Sequence, residues 1–462
     1  MIPEHVKNEL KHIVGEEYVA LSPSEMKEFS SDGTKLEFLP DAVVFPEDAM
    51  QVSKLLELAN KEKIPVIPRG AGTGMSGGAL PVRGGIIMGM DRMNRIIYLD
   101  RDNMISKVEP GVITEELQKE AKKIGLFYPP YPASANISTI GGNVAECAGG
   151  LRALKYGVTR DYVLGLKIVL PTGEILETGT KTVKGVVGYD LTRLIIGSEG
   201  TLAVITEVLL RLVPAPEYKK SMAIFFKEIE TSIKGVIKIL QFRIIPSILE
   251  FLDDICLDCI KEDLYIPASA NSMLMIELDG PRSLVMEEAK KVKKICQSNG
   301  AIYIDIIENE QEEKKLWETR NQLSHYMYKL RPHKISEDIV VPRNNIPKMV
   351  SYIKSLSKEY GMPIPVFGHA GDGNLHVNIM LNKDNNIELI RAKELIPKLF
   401  KKVIELHGTI SGEHGIGITK APYMGMEVPR TGIELMRRIK KAFDPNDILN
   451  PGKIFWEGGS SW

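Results

Sequence analysis

The residues best suited to chemistry are histidines near the C-terminal end of the sequence. Four of the eight histidines lie between positions 369 and 414, within GHAGDGNLHVN (368–378) and SGEHGIG (411–417) or close to them. His369 and His376 flank a glycine-rich bend, and Glu413 offers a carboxylate from a separate loop. Two imidazoles and one carboxylate leave open positions on a metal ion, as catalytic sites do. We therefore predict a divalent metal site at these three residues, with zinc as the first expectation and iron or manganese as alternatives.

His414 directly follows Glu413, and its side chain is available for proton transfer if the two side chains diverge. An imidazole exchanges a proton near neutral pH, which suits a general base. A 2-hydroxy acid could chelate the metal through its hydroxyl and one carboxylate oxygen while His414 takes the hydroxyl proton. Oxidation of such a substrate needs an organic redox cofactor, because no side chain supplies that chemistry.

Two cations precede the histidines and could anchor a substrate carboxylate. Arg320 lies in WETRN (317–321), and Lys334 lies in KISED (334–338). A guanidinium binds a carboxylate in bidentate fashion, and a lysine adds a point charge. Taken singly, either residue fits equally well as a solvated charge on a helix or strand.

A glycine-rich loop, RGAGTGMSGG (69–78), follows a predicted strand and matches the string GxGxxG. A nicotinamide-binding Rossmann turn must open a helix, but here LPVRGG (80–85) leads into another strand, so that kind of site is excluded. The remaining possibilities are a loop that turns backbone N–H groups toward an anion and a plain glycine-rich hairpin. Two further segments suit close approach of a ligand: SANISTIGGN (134–143) and GSEGTLAVI (197–205).

The length of 462 residues exceeds what one hydrophobic core usually supports, so we expect two domains. A β-α-β opening precedes the glycine loop, and residues 163–170 and 174–177 predict a hairpin. Beyond residue 215 strands and helices alternate, which predicts an α+β domain with an antiparallel sheet; residues 365–380 are expected to be strand-like. The predicted ranges are 1–215 for the cofactor domain, 216–405 for the substrate domain, 406–457 for C-terminal helices that fold back over the active site, and 458–462 for a tag remnant.

Composition excludes several other classes of protein. The net charge of −1 argues against a nucleic-acid partner, and no stretch approaches the about 18 to 20 apolar residues of a membrane span. Because no secretory leader is evident either, we expect a cytoplasmic protein. The four cysteines are too few and scattered for an iron–sulfur cluster, and the pair Cys256 and Cys259 is expected to pack in a core. Electrons must therefore leave to a separate acceptor.

Taken together, the three glycine segments and the HxxxxxxH, HVN and GEHG elements resemble the FAD-linked D-lactate dehydrogenase and glycolate oxidase flavoprotein subunits. These are D-2-hydroxyacid dehydrogenases of the vanillyl-alcohol oxidase type. The resemblance extends over nearly the whole chain, as far as FDPNDILNPGK (443–453). It implies an α+β fold with a bipartite FAD-binding domain and a cap domain in which helices cover an antiparallel sheet. It also implies catalytic roles for His414, Arg320, Lys334 and Asn378, and metal ligation by His369, His376 and Glu413.

The same resemblance implies that the first loop holds the FAD pyrophosphate. Residues 141–143 would lie along the cofactor, and residues 199–201 and 205 would flank its nucleotide part. No histidine occurs between positions 12 and 325, which excludes histidyl attachment of the flavin and predicts non-covalent FAD. The cofactor-binding residues expected on this basis are Pro68, Arg69, Gly70, Ala71, Gly72, Thr73, Gly74, Ser76, Gly77, Gly78, Pro132, Ser134, Thr139, Gly141, Gly142, Asn143, Ala145, Gly149, Gly150, Glu199, Gly200, Val204 and Ile205.

The activity that the resemblance implies is oxidation of a D-2-hydroxy acid, foremost D-lactate or glycolate, to the 2-oxo acid. Electron-transferring flavoprotein is the expected acceptor, with a quinone or a cytochrome as alternatives, and the chain could form a homo-oligomer or a hetero-oligomer. Three other functions stay open. They are an oxidase that uses oxygen, an electron-relay subunit of a larger complex, and a non-enzymatic metal or nucleotide sensor.

Overall fold

The computed structural model describes residues 2–455, so the predicted tag remnant at 458–462 lies outside the described residues. The chain forms two compact units. The first comprises residues 2–149, 158–215 and 413–455, and the second comprises residues 150–157 and 216–412. The last segment of the first unit begins at Glu413. The C-terminal segment predicted from the sequence begins at residue 406.

Residues 2–455 contain the following regular elements. The helices are α1 (Glu4–Val14), α2 (Pro23–Met26), α3 (Ala49–Glu62), α4 (Thr114–Lys123), α5 (Ile140–Glu146), α6 (Ala153–Tyr156), α7 (Leu191–Ile195), α8 (Ile229–Gln241), α9 (Asp254–Ile260), α10 (Arg282–Ser298), α11 (Glu310–Tyr326), α12 (Ile346–Tyr360), α13 (Asn386–Glu405) and α14 (Arg430–Phe443). The strands are β1 (Val19–Ala20), β2 (Ala42–Val44), β3 (Val66–Arg69), β4 (Ile86–Gly89), β5 (Ile96–Asp100), β6 (Ile105–Val108), β7 (Leu126–Phe127), β8 (Val163–Val169), β9 (Ile175–Gly179), β10 (Val204–Arg211), β11 (Val213–Pro214), β12 (Tyr218–Phe226), β13 (Ile248–Asp253), β14 (Ser272–Gly280), β15 (Ala301–Ile306), β16 (His333–Val340), β17 (Val366–His369) and β18 (Asn374–Leu381).

The first unit contains a four-stranded sheet in the order β1-β2-β4-β3. Its strands β2, β3 and β4 are parallel, and their short apolar runs are buried as parallel strands usually are. The glycine loop joins β3 to β4, which are direct neighbours, and it contains no helix. This loop therefore differs from a Rossmann crossover, as the sequence predicted.

A second sheet of the first unit is antiparallel, in the order β5-β6-β10-β8-β9. The strands β8 and β9 form the predicted hairpin, and Gly173 in its turn has φ 98°, which favours glycine. Asp48 caps the N-terminus of helix α3, because its side chain accepts a hydrogen bond from the Gln51 N–H. The same helix contacts β8 and β9, so it lies against both sheets through the apolar core of this unit.

The second unit is built on a seven-stranded antiparallel sheet in the order β15-β12-β14-β13-β17-β18-β16. The central strand β13 is buried along its whole length. Helices α9 and α11 pack on an apolar cluster that includes Phe367 and Met380, and it also takes in Cys256 and Cys259. The α+β fold with an antiparallel sheet and covering helices is thereby confirmed. In the part of the chain that the structure describes, no helix is both long and apolar enough to cross a bilayer.

Candidate active site

The three glycine-rich segments of the first unit converge. A Cβ built on Gly70 would lie 2.2 Å from the Thr139 hydroxyl, and one on Gly200 would lie 3.6 Å from Pro68. Asn450 joins two of the segments, because its amide nitrogen donates to the Gly78 carbonyl at 2.8 Å and to the carbonyl of the residue before Gly200 at 2.8 Å. The structure thus brings together the turns that the sequence assigned to one ligand.

The glycine loop has the properties of an anion cradle. Among the described residues, none accepts a hydrogen bond from the backbone N–H groups of residues 71–78, although Ser76, Gly77 and Gly78 are buried. Successive backbone N–H groups in such a loop can converge on one acceptor, so these groups suit a ligand that accepts hydrogen bonds. A Cβ at Gly74 would meet nothing within 4 Å, which leaves space beside the backbone. The loop therefore suits an anionic group such as a phosphate.

Helix α5 lies within a segment that we had described only as glycine-rich. The Thr139 hydroxyl accepts a hydrogen bond from the Gly142 N–H at 3.2 Å and caps the helix. Gly141 packs so closely that a Cβ there would lie 2.5 Å from Pro110. The Asn143 amide donates to the Thr114 hydroxyl at 2.7 Å, so this predicted cofactor residue also holds the helix in place.

Glu199 is buried and binds the segment that contains His414. Its carboxylate accepts hydrogen bonds from the N–H groups of Ile416 at 2.7 Å and Gly417 at 2.6 Å. Burial raises the pKa of Glu199, while these two backbone donors oppose the rise. The Ser76 carbonyl accepts a further hydrogen bond, from Ile418 N–H, at 2.8 Å. The loop 413–418 is therefore fastened to the cofactor segments of the first unit.

In the second unit, strand register places the predicted site residues on one face of the sheet. Opposite residues of an antiparallel pair project to the same side, as do residues i and i+2. Glu250 on β13 is opposite His369 on β17, and His376 on β18 is opposite both Phe367 on β17 and Asp338 on β16. Polar side chains from four strands therefore share the face on which α11 packs.

The candidate metal ligands lie close together. One ligand atom each from His369, His376 and Glu413 falls within 4.8 Å of the others. The two imidazole rings are buried and perpendicular, with centroids 5.2 Å apart. Glu413 directly follows Gly412, whose N–H donates to Asp338 at 2.8 Å, so the preceding backbone is held by the second unit. This donor set and spacing suit a divalent cation with open positions.

Each histidine has a carboxylate beside it that the sequence did not identify. The Nδ1 atom of His369 lies 2.5 Å from Glu250 Oε1, and Nδ1 of His376 lies 3.8 Å from Asp338 Oδ1. Asp338 also accepts a hydrogen bond from the Asn374 amide at 2.5 Å. Carboxylates in such positions orient metal-binding imidazoles and fix their tautomers.

Arg320 is not a solvated surface charge but lies on the buried side of helix α11. Its Nε donates to Glu250 Oε2 at 2.7 Å, and Nη2 donates to the same oxygen. Its guanidinium carbon lies 4.6 Å from the centroid of the Phe367 ring. Burial alone would raise the pKa of Glu250, but Arg320 and His369 outweigh it and lower the pKa to about 2.

Lys334 and Asn378 lie on the same face of the sheet. Lys334 Nζ donates to the hydroxyl of Ser324, one turn of α11 beyond Arg320, and burial lowers the pKa of Lys334 to about 8. Asn378 is buried; its amide nitrogen donates to the His376 carbonyl at 3.2 Å, and its oxygen accepts from the Ser336 hydroxyl at 3.0 Å.

Sequence reasoning missed Glu250, Asp338 and Ser324. Asp338 lies in the KISED segment already quoted for Lys334, at the even spacing that puts both on one strand face. Ser324 follows Arg320 by one helical turn, which places both on one side of α11. Glu250 lies 119 residues from His369, and no local pattern indicates that pairing.

The chain matches two family models that together span most of its length. Residues 40–179 match "FAD binding domain", and residues 215–454 match "FAD linked oxidases, C-terminal domain". It is 43% identical to the glycolate oxidase subunit GlcD of Bacillus subtilis, over 98% of this chain and 97% of that protein. It is 36% identical to the D-lactate dehydrogenase of Anaerostipes hadrus, over 90% of each chain.

Solved structures agree on the fold. The structure of p-cresol methylhydroxylase with substrate bound superposes with a TM-score of 0.79 at 19% identity, covering 97% of this chain and 96% of that one. At this identity the likeness shows the fold, which is that of the vanillyl-alcohol oxidase type. The glycine cradle, the domain matches and these relatives lead to one conclusion: the chain belongs to the FAD-linked oxidases and is an FAD-binding oxidoreductase.

Proposed function

We propose that the chain is an FAD-dependent dehydrogenase that oxidises a D-2-hydroxy acid, D-lactate or glycolate foremost, to the 2-oxo acid with the help of a divalent metal ion. The observation that supports this most strongly is the cluster of His369, His376 and Glu413 within 4.8 Å. Two cations lie on the face of the sheet that bears the histidines: the buried Arg320 on α11 and the partly buried Lys334 on β16. A metal beside cations suits a substrate with a hydroxyl next to a carboxylate.

The side chains would divide the work as follows. Arg320 and Lys334 hold the substrate carboxylate, and Asn378 contributes an amide beside the histidines. His414 accepts the hydroxyl proton, as a general base positioned within hydrogen-bond reach. His369, His376 and Glu413 hold the metal, which in our proposal is zinc, with iron or manganese as alternatives. The metal, when bound, polarises the substrate hydroxyl and stabilises negative charge on that oxygen.

FAD is held by the glycine cradle and the segments that converge on it, without a covalent bond in our proposal. When bound, it accepts the two electrons that leave the substrate carbon with its hydrogen. We propose that a separate protein, electron-transferring flavoprotein foremost, then takes the electrons. The relatives named for glycolate and D-lactate favour these substrates over larger hydroxy acids.

Anaerobic mixing of the purified, FAD-loaded chain with hydroxy acids tests this function directly. We expect D-lactate or glycolate to bleach the flavin absorbance and L-lactate to leave it unchanged. Metal analysis of the same sample should find a stoichiometric divalent ion. Bleaching by none of these acids would contradict the proposal, and rapid reoxidation of the reduced flavin in air would instead favour an oxidase.

The partly buried Lys334 predicts the alkaline side of the pH profile. Its cationic form is present below its lowered pKa and is lost as the pH rises through about 8. If Lys334 anchors the substrate carboxylate, kcat/KM for the hydroxy acid should fall with a midpoint near that pH, because this ratio reports ionisations of the free enzyme. In Lys334→Met, kcat/KM should be low at all pH values and the alkaline decline should disappear. A decline that persists in Lys334→Met would assign it to another group.

A further inference from the structure

We infer that Glu250 is a positioning residue that joins the metal site to the carboxylate anchor, an inference that rests on the proposed function. Its two carboxylate oxygens serve different partners. Oε1 lies 2.5 Å from Nδ1 of His369, and Oε2 accepts both hydrogen bonds from Arg320. Nothing assigned from the sequence connects these two residues, and the Glu250 carboxylate contacts both of them.

The three side chains form a buried unit. Glu250 is fully buried, and Arg320 and His369 are 4% and 6% exposed. The carboxylate cannot rotate without giving up a charged partner, and leaving a buried charge without a partner is costly. Phe367 further restricts the guanidinium by stacking against it. The positions of the imidazole and the guanidinium are therefore mutually dependent.

The donors and acceptors of Glu250, His369 and Arg320 explain how the carboxylate could affect metal binding. An ionised carboxylate only accepts hydrogen bonds, so a neutral His369 carries its proton on Nδ1. Its Nε2 atom then has the lone pair that a metal requires. Arg320 holds the carboxylate through two donors, Nε and Nη2, that both bind Oε2. Through Glu250, a residue that binds substrate thus supports a residue that binds metal.

The test is the metal affinity of the full-length, FAD-loaded chain, measured by competition of Zn²⁺ or Co²⁺ with a chelating dye. Glu250→Gln should weaken metal binding by about 10- to 100-fold, the usual effect of removing such a carboxylate. Arg320→Met should also weaken it, although Arg320 offers no metal ligand, because Oε2 loses both its donors. The double variant should bind metal no more weakly than Glu250→Gln alone.

Two matched controls make the test specific. Lys334→Met removes the other substrate cation, which has no contact with Glu250, and should leave metal affinity unchanged. Glu277→Gln replaces another buried carboxylate of the same sheet, one that accepts from Ser247, and should also leave it unchanged. The d–d absorption of bound Co²⁺ should shift in Glu250→Gln and Arg320→Met only, which a general loss of stability would not cause.

The outcomes distinguish failure of the inference about Glu250 from failure of the proposed function. If the wild-type chain binds metal and Arg320→Met binds it with the same affinity, the link through Glu250 is overturned and the proposed function still stands. Effects of Glu250→Gln and Arg320→Met that multiply in the double variant would also overturn it. If Glu250→Gln fails to fold, the comparison of Arg320→Met with Lys334→Met still decides. A wild-type chain that binds neither metal would overturn both the metal-assisted function and this inference.

Discussion

Replacement of His414 with alanine is expected to slow flavin reduction by the hydroxy acid by about 10²- to 10⁴-fold, the usual contribution of a positioned general base. FAD should remain bound, because the glycine loop is unchanged. The contacts of the 413–418 loop with Glu199 and Ser76 use backbone N–H groups of residues 416–418 and not the His414 side chain. Metal content should also persist, since His369, His376 and Glu413 are unchanged. The measurement is stopped-flow absorbance of the flavin at saturating substrate under anaerobic conditions.

The exposed His12 on α1 offers a matched control. His12→Ala also removes an imidazole from the first unit, but at a position distant in sequence from the 413–418 loop. It should reduce its flavin at the wild-type rate. If His414→Ala also retained the wild-type rate, another group would have to accept the hydroxyl proton. Loss of bound FAD in His414→Ala would show instead that the substitution disrupts the 413–418 loop.

The His376→Ala variant is expected to lose its metal and, with it, most of its activity. Removing one of three protein ligands should weaken metal binding by more than about 100-fold, beyond the effect of losing an outer-shell partner. Dialysed protein should then contain little divalent ion, as measured by plasma mass spectrometry. The flavin should stay bound and oxidised when substrate is added, because the alkoxide is no longer stabilised.

His325 on α11 serves as the control for this second variant, since it is exposed and belongs to the same unit. His325→Ala should retain a full metal equivalent and normal flavin reduction. A full equivalent of metal in His376→Ala would remove His376 from the ligand set. Metal loss combined with undiminished flavin reduction would show that the metal has no part in the chemistry.

Local patterns in the sequence predicted much of the fold. The alternation of helices and strands beyond residue 215 was expected, and helix α12 followed by β17 is one instance of it. The hairpin of β8 and β9 was also expected, because its turn contains a glycine that tolerates positive φ. Residues 365–380, expected to be strand-like around a glycine-rich bend, form the two strands β17 and β18. Gly373, with φ 93°, lies in the turn between them.

The candidate site was predictable in its parts but not in its connections. The metal ligands could be proposed because two histidines flank a bend and a carboxylate lies in a second motif. The carboxylates that support these ligands could not be predicted. Glu250, for example, is 70 positions from Arg320 and 119 positions from His369 in the sequence. Such pairs depend on strand order and register, which arise from packing of the whole sheet rather than from any local run of residues. Arg320 illustrates the limit, because a charge that suits a solvated helix turned out to be buried.

The unpaired donors of the glycine loop have a consequence for the folding of the chain. A native state whose backbone groups are completed by a ligand gains stability from that ligand by mass action. At a free FAD concentration about a hundredfold above its dissociation constant, the gain is about 2.7 kcal/mol. That is a sizeable fraction of the about 5 to 15 kcal/mol by which proteins are usually stable. Flavin supply therefore helps to determine how much of this polypeptide survives proteolysis, in addition to how much of it is active.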